Sequence, residues 1–408
     1  MTATTCRSCD AEGLVPVLSL GETPLADGLL TLEQLSEPEL KAPLELTFCP
    51  RCTLAQITET VDPEILFCRD YPYYSSVSSQ LMEHFRSSAR RLISTRHLGP
   101  HSMVVEAASN DGYMLSTFAD AGIPVLGVDP ASGPAQVASD RGIPTLNTFF
   151  NLELARELRD GLGVRADVFL ANNVLAHVPD LNGFVAAIKV LLKREGVAVI
   201  EVPYVADLVA KCEFDTIYHQ HLCYFSVRAL DELFKRHGLF LNDVERLAIH
   251  GGSLRLFVEQ HDDRRQRVDA LIAQEFASKM DQRSFYADFA QRVSAIRDEL
   301  GTLLRSLRAR GERIAAYGAA AKATTLCSYV GIGTDLIDYV VDRNAHKEGR
   351  YMGGNHLPIV AARRLREDPP DYLLLLAWNF ADEIMQQEAA FREQGGRFII
   401  PIPEVQIV

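Results

Sequence analysis

Short apolar runs alternate with amphipathic segments in two stretches of the chain, and each stretch predicts a sheet flanked by helices. In the first stretch, the pattern predicts strands separated by helices at residues 101–106, 123–129, 167–171 and 197–202. In the second, it predicts strands at residues 313–317, 337–342, 372–376 and 398–400. Strands that alternate with helices are typical of doubly wound parallel sheets. We therefore expect two α/β domains.

The remaining segments have different patterns. Residues 44–48 alternate apolar and polar side chains and predict a strand. Residues 53–100 are predicted to be mostly helical. Residues 262–310 are charged and helical by periodicity, and we expect them to bridge two domains, although a solvated helical hairpin has the same pattern.

Composition and charge narrow the classes of partner. The 408 residues carry a formal net charge of -13, which disfavours non-specific binding to nucleic acid or to an anionic membrane. An anionic small molecule held by a few local cations is still compatible with that charge. No apolar run reaches the length of a membrane span, and residues 1–6 lack the features of a signal peptide. The expected location is the cytoplasm.

Four of the eight cysteines form two Cys-x-x-Cys pairs, Cys6 with Cys9 and Cys49 with Cys52. Two such turns supply four thiolates for a closed tetrahedral zinc site. Disulfides are disfavoured in a reducing compartment, and a redox pair normally lies in a βαβ context that is absent at these positions. The prediction is a structural zinc ion. The other cysteines are expected to pack as small apolar side chains, namely Cys68, Cys212, Cys223 and Cys327.

The turn after the first strand of the central domain has the character of a cofactor site. It contains Asn110 and Gly112 but lacks the three glycines of a dinucleotide fingerprint. Glu106 ends the first predicted strand and Asp129 ends the second. S-adenosylmethionine (SAM) suits this pair, with Asp129 on its ribose and Glu106 near its methionine portion. Two carboxylates at solvated turns would give the same pattern.

Polar residues also follow the next strand of that domain, at the sheet edge where active sites lie. These residues are Asn172, Asn173 and His177. Further on, the chain reads Tyr218-His219-Gln220-His221. Histidine titrates near neutrality and can remove a proton from an acidic carbon, so His221 is the predicted base. A catalytic metal is disfavoured here because a third ligand is missing, and His219 is expected to pack under the sheet.

Two glycine-containing turns are candidates for substrate contacts. The first contains His250, Ser253 and Arg255, and it can equally be a bulge between two strands. The second opens the C-terminal domain, and with Arg343 it offers amides and cations to a diphosphate. Its residues are Gly318, Ala319 and Lys322. The alternative is a C-terminal domain that serves only in packing.

Taken in order, these motifs resemble those of the zinc-binding sugar C-methyltransferases, which methylate C3 of nucleotide-linked 4-keto deoxysugars. The resemblance runs over nearly the whole chain. It comprises the paired Cys-x-x-Cys turns, residues 106–112, the Asn-x-x-x-His-x-Pro segment ending at Pro179, residues 218–221, the turn at 250–255, and the segments 317–322, 342–344 and 376–379.

The resemblance implies an N-terminal zinc ribbon (1–70), a central Rossmann-like SAM-binding domain (71–300) and a C-terminal Rossmann-like domain that helps to hold the nucleotide (301–408). It implies that His221 or Tyr218 removes the proton next to the ketone and that His177 and residue 220 shape the pocket. The family usually carries glutamate where this chain has Gln220. An amide cannot accept a proton, so an obligatory glutamate base would leave this chain impaired.

The predicted reaction is removal of a proton next to the ketone, followed by attack of the enolate on the methyl group of SAM. Tyr218 or His250 would donate a hydrogen bond to the enolate oxygen. Three alternatives stay open: an O- or N-methyltransferase, an NAD-dependent enzyme that uses the turn at Gly318, and a non-catalytic scaffold. The sequence leaves the nucleotide base and the oligomeric state undetermined.

Overall fold

The computed structural model describes residues 3–68, 74–77 and 79–408, except for the side chains of Val77, Ser79 and His250. Within these residues the strands form three sheets. In chain order the strands are β1 Val15–Pro24, β2 Lys41–Phe48, β3 Ala55–Ile57, β4 Val104–Ala107, β5 Val125–Val128, β6 Thr145–Leu146, β7 Ala166–Asn172, β8 Leu192–Pro203, β9 Cys223–Tyr224, β10 Phe240–Leu247, β11 Ser253–Glu259, β12 Ile314–Tyr317, β13 Val340–Asp342, β14 Ile359–Ala361, β15 Tyr372–Leu375, β16 Arg397–Ile400 and β17 Gln406–Ile407.

The α-helices of the described residues lie between these strands and after the last parallel ones. In chain order they are α1 Ser79–Thr95, α2 Leu115–Asp120, α3 Ser132–Asp140, α4 Leu152–Arg156, α5 Leu181–Leu191, α6 Val205–Ala210, α7 Val227–Arg236, α8 Gln266–Ala277, α9 Arg283–Ala309, α10 Ala321–Val330, α11 Arg364–Glu367, α12 Ala381–Gln387 and α13 Ala389–Glu393.

The first sheet is antiparallel, with strand order β1-β2-β3-β9. The predicted strand at 44–48 is confirmed as the second half of β2. The fourth strand comes from far along the chain, since Ala55 of β3 pairs with Tyr224 of β9. The N-terminal sheet is therefore completed by residues that follow the histidine-containing segment 218–221.

The second sheet has the order β10-β11-β8-β7-β4-β5-β6. Strands β4 to β8 run parallel to one another, while β10 and β11 form an antiparallel edge. The strand order reverses between β4 and β7, and ligands of such sheets bind beyond the carboxyl ends of the strands at that position. The segments that follow β4 and β7 carry the predicted cofactor residues.

The third sheet has the order β14-β13-β12-β15-β16-β17, and all but β17 are parallel. Its order reverses between β12 and β15. The two predicted α/β units are thus both present. The strand predicted at residues 337–342 is shorter than expected, since β13 spans only Val340–Asp342.

The predicted helical stretch at 262–310 is confirmed as α8 and α9. Helix α9 buries side chains at spacings of three to four residues, namely Tyr286, Phe289, Val293, Ile296 and Leu300. It contacts β1 of the first sheet, α6 beside the second sheet, and β12 of the third. The ring of Tyr286 stacks on Phe48 with centroids 5.1 Å apart. This one helix therefore packs against all three parts of the molecule.

The prediction of a mostly helical segment at 53–100 is wrong in its first part. Residues 55–57 form strand β3, whose three side chains are all buried between β2 and β9. Local periodicity could not show this because the pairing partner lies far along the chain. Regular α-helix begins only with α1, and residues 69–73 lie outside the described part. No helix among the described residues is long and apolar enough to cross a membrane.

Candidate active site and metal centre

The four predicted zinc ligands converge on one point. The sulfur atoms of Cys6, Cys9, Cys49 and Cys52 all lie within 4.8 Å of one another. Cys6 Sγ is 3.5 Å from Cys52 Sγ, and Cys9 Sγ is 3.7 Å from Cys49 Sγ. These separations exceed the roughly 2.05 Å of a disulfide and match the ~3.8 Å edges of a tetrahedron with Zn–S bonds of about 2.3 Å. The thiols fit zinc, and four of them leave no open position for catalysis.

The two turns that present these thiols have the same backbone form. The amide of Asp10 donates to the carbonyl of Cys6, and the amide of Thr53 donates to the carbonyl of Cys49, each with an N–O distance of 2.9 Å. Asp10 and Thr53 both adopt positive φ angles, 55° and 63°. Each backbone therefore wraps tightly around its pair of sulfur atoms.

Side chains from the second sheet's helices hold the first of these turns in place. Asn182 of α5 donates to the carbonyls of Arg7 and Ser8 at 3.1 and 3.2 Å. Arg236 of α7 donates to the carbonyl of Ser8 at 2.8 Å. The metal centre is therefore built into the body of the protein.

The turn after β4 contains three residues with positive φ angles, a conformation that residues other than glycine seldom adopt. Ala108, Asn110 and Gly112 have φ angles of 52°, 50° and 75°. The positive φ angle favours glycine at Gly112, and a Cβ atom there would lie 3.1 Å from Cγ1 of Ile143, so that side chain would have to shift. The side-chain oxygen of Asn110 accepts from the amide of Ser75 at 2.9 Å, which brings residues 74–77 against the turn.

Asp129 follows β5 and binds this turn directly. One carboxylate oxygen accepts from the amide of Asn110 at 2.8 Å, and the other accepts from the amide of Ala131 at 2.9 Å. Burial raises the pKa of Asp129 to about 6, against the two amide hydrogen bonds that lower it. Each carboxylate oxygen can accept a second hydrogen bond, as a ribose diol would require.

Glu106 lies inside β4 and is fully buried. We expected it at the strand end, but Ala107 continues the pairing with β5 and β7. Its Oε1 accepts from Asn172 at 3.0 Å, whereas Oε2 has no hydrogen-bond partner among the described residues. Burial raises the pKa of Glu106 to about 8. An unpaired buried carboxylate oxygen fits a nearby cationic group such as the sulfonium of SAM.

The end of β7 closes the same corner of the sheet. Asn172 bridges Glu106 and the sulfur of Met114, which lies 3.2 Å from its amide nitrogen. Asn173 has a φ angle of 54°, and its amide donates to the carbonyl of Glu201 at 2.8 Å. The structure thus brings together the six predicted cofactor residues: Glu106, Asn110, Gly112, Asp129, Asn172 and Asn173.

The hydrogen bonds of His221 define which of its nitrogens carries the proton. Nδ1 lies 2.8 Å from the carbonyl oxygen of Thr216, which can only accept, so Nδ1 is the protonated nitrogen. Nε2 consequently presents its lone pair and lies 3.1 Å from the hydroxyl of Tyr218. The two rings stack with centroids 4.1 Å apart. In the neutral ring the lone pair that can accept a proton is therefore at Nε2, where the hydroxyl of Tyr218 donates to it.

His177 lies beside His221, with ring centroids 4.8 Å apart. Its Nδ1 donates to the backbone carbonyl of Gln220 at 2.6 Å, which again leaves Nε2 unprotonated. Burial lowers the pKa of His177 and keeps it neutral. The structure brings the four predicted catalytic residues together: His177, Tyr218, Gln220 and His221.

The two residues between Tyr218 and His221 are buried. His219 is buried, as expected, but it lies against the first sheet rather than the central one, with its Nε2 3.1 Å from the carbonyl of Pro43. The Gln220 amide donates to the carbonyl of Ala26 at 3.4 Å. Gln220 therefore links the histidine segment to the N-terminal sheet.

The turn before β11 does not supply the predicted cationic contact. Arg255 is buried, and its Nε donates to Glu201 at 2.6 Å, with His84 on the same carboxylate. Ser253 is also buried and donates to the carbonyl of Ile249 at 3.2 Å. Both side chains are engaged within the chain, and we do not retain them as substrate residues. The side chain of His250 lies outside the described part.

The turn after β12 repeats the arrangement at Asp129. Asp342 accepts from the amide of Ala319 with one oxygen and from the amide of Asn344 with the other, each at 2.8 Å. Gly318 has a φ angle of 96°, and a Cβ atom there would lie 2.7 Å from the Cβ atom of Ala377. The amide of Ala319 is therefore already paired in this structure.

The two predicted phosphate cations lie in different surroundings. Lys322 is directed at the ring of Trp378, with Nζ 3.9 Å from the centroid. Burial lowers its pKa, while Asp215 and Glu213 oppose that shift. Arg343 is exposed and donates to Gln387 at 2.7 Å. The structure does not place these two cations around one point.

Two junction contacts were missed by the sequence analysis. The indole Nε1 of Trp378 donates to Asp215 at 2.6 Å. Lys347 lies 3.6 Å from Asp27, which belongs to the loop between β1 and β2 in the N-terminal unit (the first sheet and its loops). The ammonium of Lys347 also donates to the carbonyl of Ala319 at 2.7 Å. The one available signal was Trp378 itself, the single tryptophan of the chain within a recognised motif.

The fold and these residues define a SAM-dependent methyltransferase with a cysteine-ligated zinc site. Three family models match consecutive parts of the chain. They are described as "Putative zinc binding domain" (residues 6–67), "Methyltransferase domain" (80–242) and "C-methyltransferase C-terminal domain" (248–403).

A curated relative matches the chain throughout. C-methyltransferase NovU of Streptomyces niveus is 35% identical over 406 residues, which span 99% of this chain and 96% of the relative. The chain belongs to the zinc-binding, SAM-dependent C-methyltransferase family.

Solved structures match only part of the chain. Magnesium protoporphyrin IX methyltransferase from Synechocystis PCC 6803 with bound SAM is 14% identical, with a TM-score of 0.34, over 44% of this chain and 79% of that one. A Burkholderia thailandensis 1,6-didemethyltoxoflavin-N1-methyltransferase is 20% identical, with a TM-score of 0.32, over 44% of this chain and 78% of that one.

Proposed function

We propose that this protein methylates the carbon next to the C4 ketone of a nucleotide-linked deoxysugar, with the nucleotide being dTDP. The observation that carries the proposal is the pair His221 and Tyr218. The Nδ1–H of His221 is directed at a backbone carbonyl, so the lone pair of the neutral ring is at Nε2, beside the hydroxyl of Tyr218. Methyl transfer to oxygen or nitrogen does not need a base for a carbon acid, whereas methyl transfer to carbon does.

His221 removes the proton. A hydrogen on carbon next to a ketone is acidic because the resulting anion delocalises onto oxygen as an enolate. Nε2 of His221 accepts that proton, and the carbonyl of Thr216 stabilises the imidazolium through Nδ1–H. When the substrate binds, the hydroxyl of Tyr218 leaves Nε2 and donates to the ketone oxygen, which frees Nε2 to take the proton and stabilises the enolate.

SAM, when bound, supplies the electrophilic methyl group. Asp129 accepts hydrogen bonds from its ribose hydroxyls, and Glu106 faces its positively charged methionine portion. Burial of Glu106 within β4 excludes water, so the charge of bound SAM would act on this carboxyl group at short range and favour its ionised form. Holding both reactants in one corner of the sheet supplies much of the acceleration.

In this proposal the nucleotide part of the substrate is held by the third sheet and its helices, which we call the C-terminal unit. The turn at Gly318 and the exposed Arg343 lie at the carboxyl end of its sheet, where the strand order reverses. We propose that the zinc-binding, SAM-binding and nucleotide-binding domains span residues 1–70, 71–300 and 301–408, respectively. A reducing cytoplasm would keep the four zinc ligands as thiolates.

The test is incubation of dTDP-4-keto-6-deoxyglucose with the enzyme and SAM, followed by mass spectrometry and NMR of the product. A gain of one methyl group on carbon, at C3 as the family resemblance suggests or at C5, supports the proposal. C3 and C5 both flank the ketone and both carry acidic hydrogens. A methyl group on oxygen would contradict it and make the protein an O-methyltransferase on this substrate.

A further inference from the structure

The C-terminal unit contacts the chain segment that leads to the proposed base. Helix α10 packs against the short turn Phe214–Thr216. The hydroxyl of Thr325 in α10 donates to the carbonyl of Ile217 at 2.8 Å. Thr325 and Ile217 are both buried, so this hydrogen bond is shielded from water.

A second contact reaches the same turn from the loop after β15. Nε1 of Trp378 donates to Oδ2 of Asp215 at 2.6 Å, and Asp215 is fully buried. Oδ1 of Asp215 has no hydrogen-bond partner among the described residues. The ammonium of Lys322 lies over the Trp378 ring and provides the nearby positive charge.

These two contacts flank Thr216. Asp215 precedes it and Ile217 follows it, and each is held by a side chain of the C-terminal unit. The carbonyl of Thr216 is the group that accepts from Nδ1 of His221. The position of that carbonyl sets both the tautomer of His221 and the direction of its Nε2 lone pair.

We propose that Trp378 and Thr325 are positioning residues that orient His221 through the carbonyl of Thr216. This inference rests on the proposed function, in which His221 is the base. The C-terminal unit then has a second role besides holding the nucleotide, because the base is aligned only while that unit is docked on the turn 214–216.

The first test uses the exchange of substrate hydrogen for deuterium in D2O without SAM, which reports proton removal alone. Trp378→Phe keeps an aromatic ring under Lys322 but removes the indole donor. A hydrogen bond to a charged acceptor is worth about tenfold or more in rate, so exchange should slow by at least that factor while SAM affinity stays unchanged. Asp215→Ala should behave likewise, and Asp215→Asn, which keeps an acceptor oxygen, should restore most of the rate.

The second test separates positioning from folding. Thr325→Val removes one hydroxyl at nearly constant volume and should slow exchange about tenfold. Thr324→Val is the matched control, because Thr324 is the neighbouring buried threonine of α10 and is not the residue that donates to Ile217. Trp378 is the single tryptophan, so its fluorescence reports whether the junction is intact in the Asp215, Thr324 and Thr325 variants.

The outcomes are distinct. Slow exchange with normal SAM binding in Trp378→Phe and Thr325→Val, and normal exchange in Thr324→Val, supports the inference. The inference is overturned if Trp378→Phe and Thr325→Val both exchange within twofold of the wild-type rate. It is also overturned if Asp215→Asn and Asp215→Ala lose the same fraction of that rate. If the wild-type enzyme itself shows no exchange with a substrate that it methylates, the proposed base chemistry fails instead.

Discussion

The side-chain amide of Gln220 donates a hydrogen bond to the backbone carbonyl of Ala26 in the N-terminal unit. Gln220 is 6% exposed, so the pair is buried next to His221. A carboxylate in this position would face a carbonyl oxygen without a donor between them. Glutamine therefore suits these surroundings better than a glutamate would.

The first prediction follows from that contact. Gln220→Glu should not raise the methylation rate, because the base is His221, and it should lower the free energy of unfolding by about 1–3 kcal/mol. Initial rates and thermal unfolding at pH 7.5 check both parts. Gln274→Glu, at an exposed position of α8, is the control for an added charge. A rate increase of tenfold or more would identify Gln220 as a disabling residue.

The second prediction concerns cofactor affinity. Asp129→Ala should raise the Kd for SAM about tenfold or more, because the variant loses the acceptor for the ribose hydroxyls and for the turn amide of Asn110. Asp342→Ala is a matched control, since Asp342 makes the same pair of amide hydrogen bonds in the third sheet. Calorimetry measures both. Unchanged affinity in Asp129→Ala, or equal losses in the two variants, would remove Asp129 from the cofactor site.

The third prediction is a pH dependence of stability. Burial raises the pKa of Glu106 to about 8, while a carboxyl group in an unfolded chain titrates near 4.3. Between these values the folded protein keeps the proton and the unfolded chain releases it, so this group makes the protein less stable as pH rises. The loss is complete above the folded pKa.

Glu106→Gln tests this directly. The stability of the variant relative to wild type should rise with pH by up to about 1.4 kcal/mol per pH unit between pH 5 and pH 8. Urea unfolding without SAM, at several pH values, provides the measurement. Glu195→Gln, at an exposed position, should show no such trend. If the difference in unfolding free energy between Glu106→Gln and wild type stays constant from pH 5 to pH 8, the raised pKa of Glu106 is contradicted.

The fourth prediction concerns the metal. Cys49→Ser should abolish stoichiometric zinc and lower the free energy of unfolding by at least about 3 kcal/mol. It should also slow proton exchange, because β3 follows this turn and pairs with β9 just after His221. Metal analysis and thermal unfolding would detect the change, and Cys68→Ser is the control outside the cluster. Retention of one zinc per chain by Cys49→Ser would refute the assignment.

The sequence was sufficient for those features that depend on local pattern. The apolar runs of β4, β5, β7 and β12 predicted two α/β units, and the spacing of the cysteines predicted the zinc ligands. Asp129 was found because its place after a strand is itself a sequence feature. These features need no knowledge of distant partners.

Features that depend on distant pairing escaped prediction. Strand β3 is too short for a periodic signal, and its partner β9 lies more than 160 residues away. Arg255 was a candidate for a substrate contact, and only the register of the sheet places it opposite Glu201 of β8. The contact between Trp378 and Asp215 joins two loops 163 residues apart, and no local pattern encodes it.

The most direct test of the account is deuterium incorporation into a dTDP-4-keto-6-deoxy sugar in D2O without SAM, comparing wild type with His221→Asn. The control is His97→Asn, because His97 is exposed and has a φ angle of 50° that asparagine tolerates. We expect rapid exchange next to the ketone in wild type and in His97→Asn. We also expect at least a hundredfold loss in His221→Asn, with SAM affinity retained. Undiminished exchange in His221→Asn would show that another group is the base.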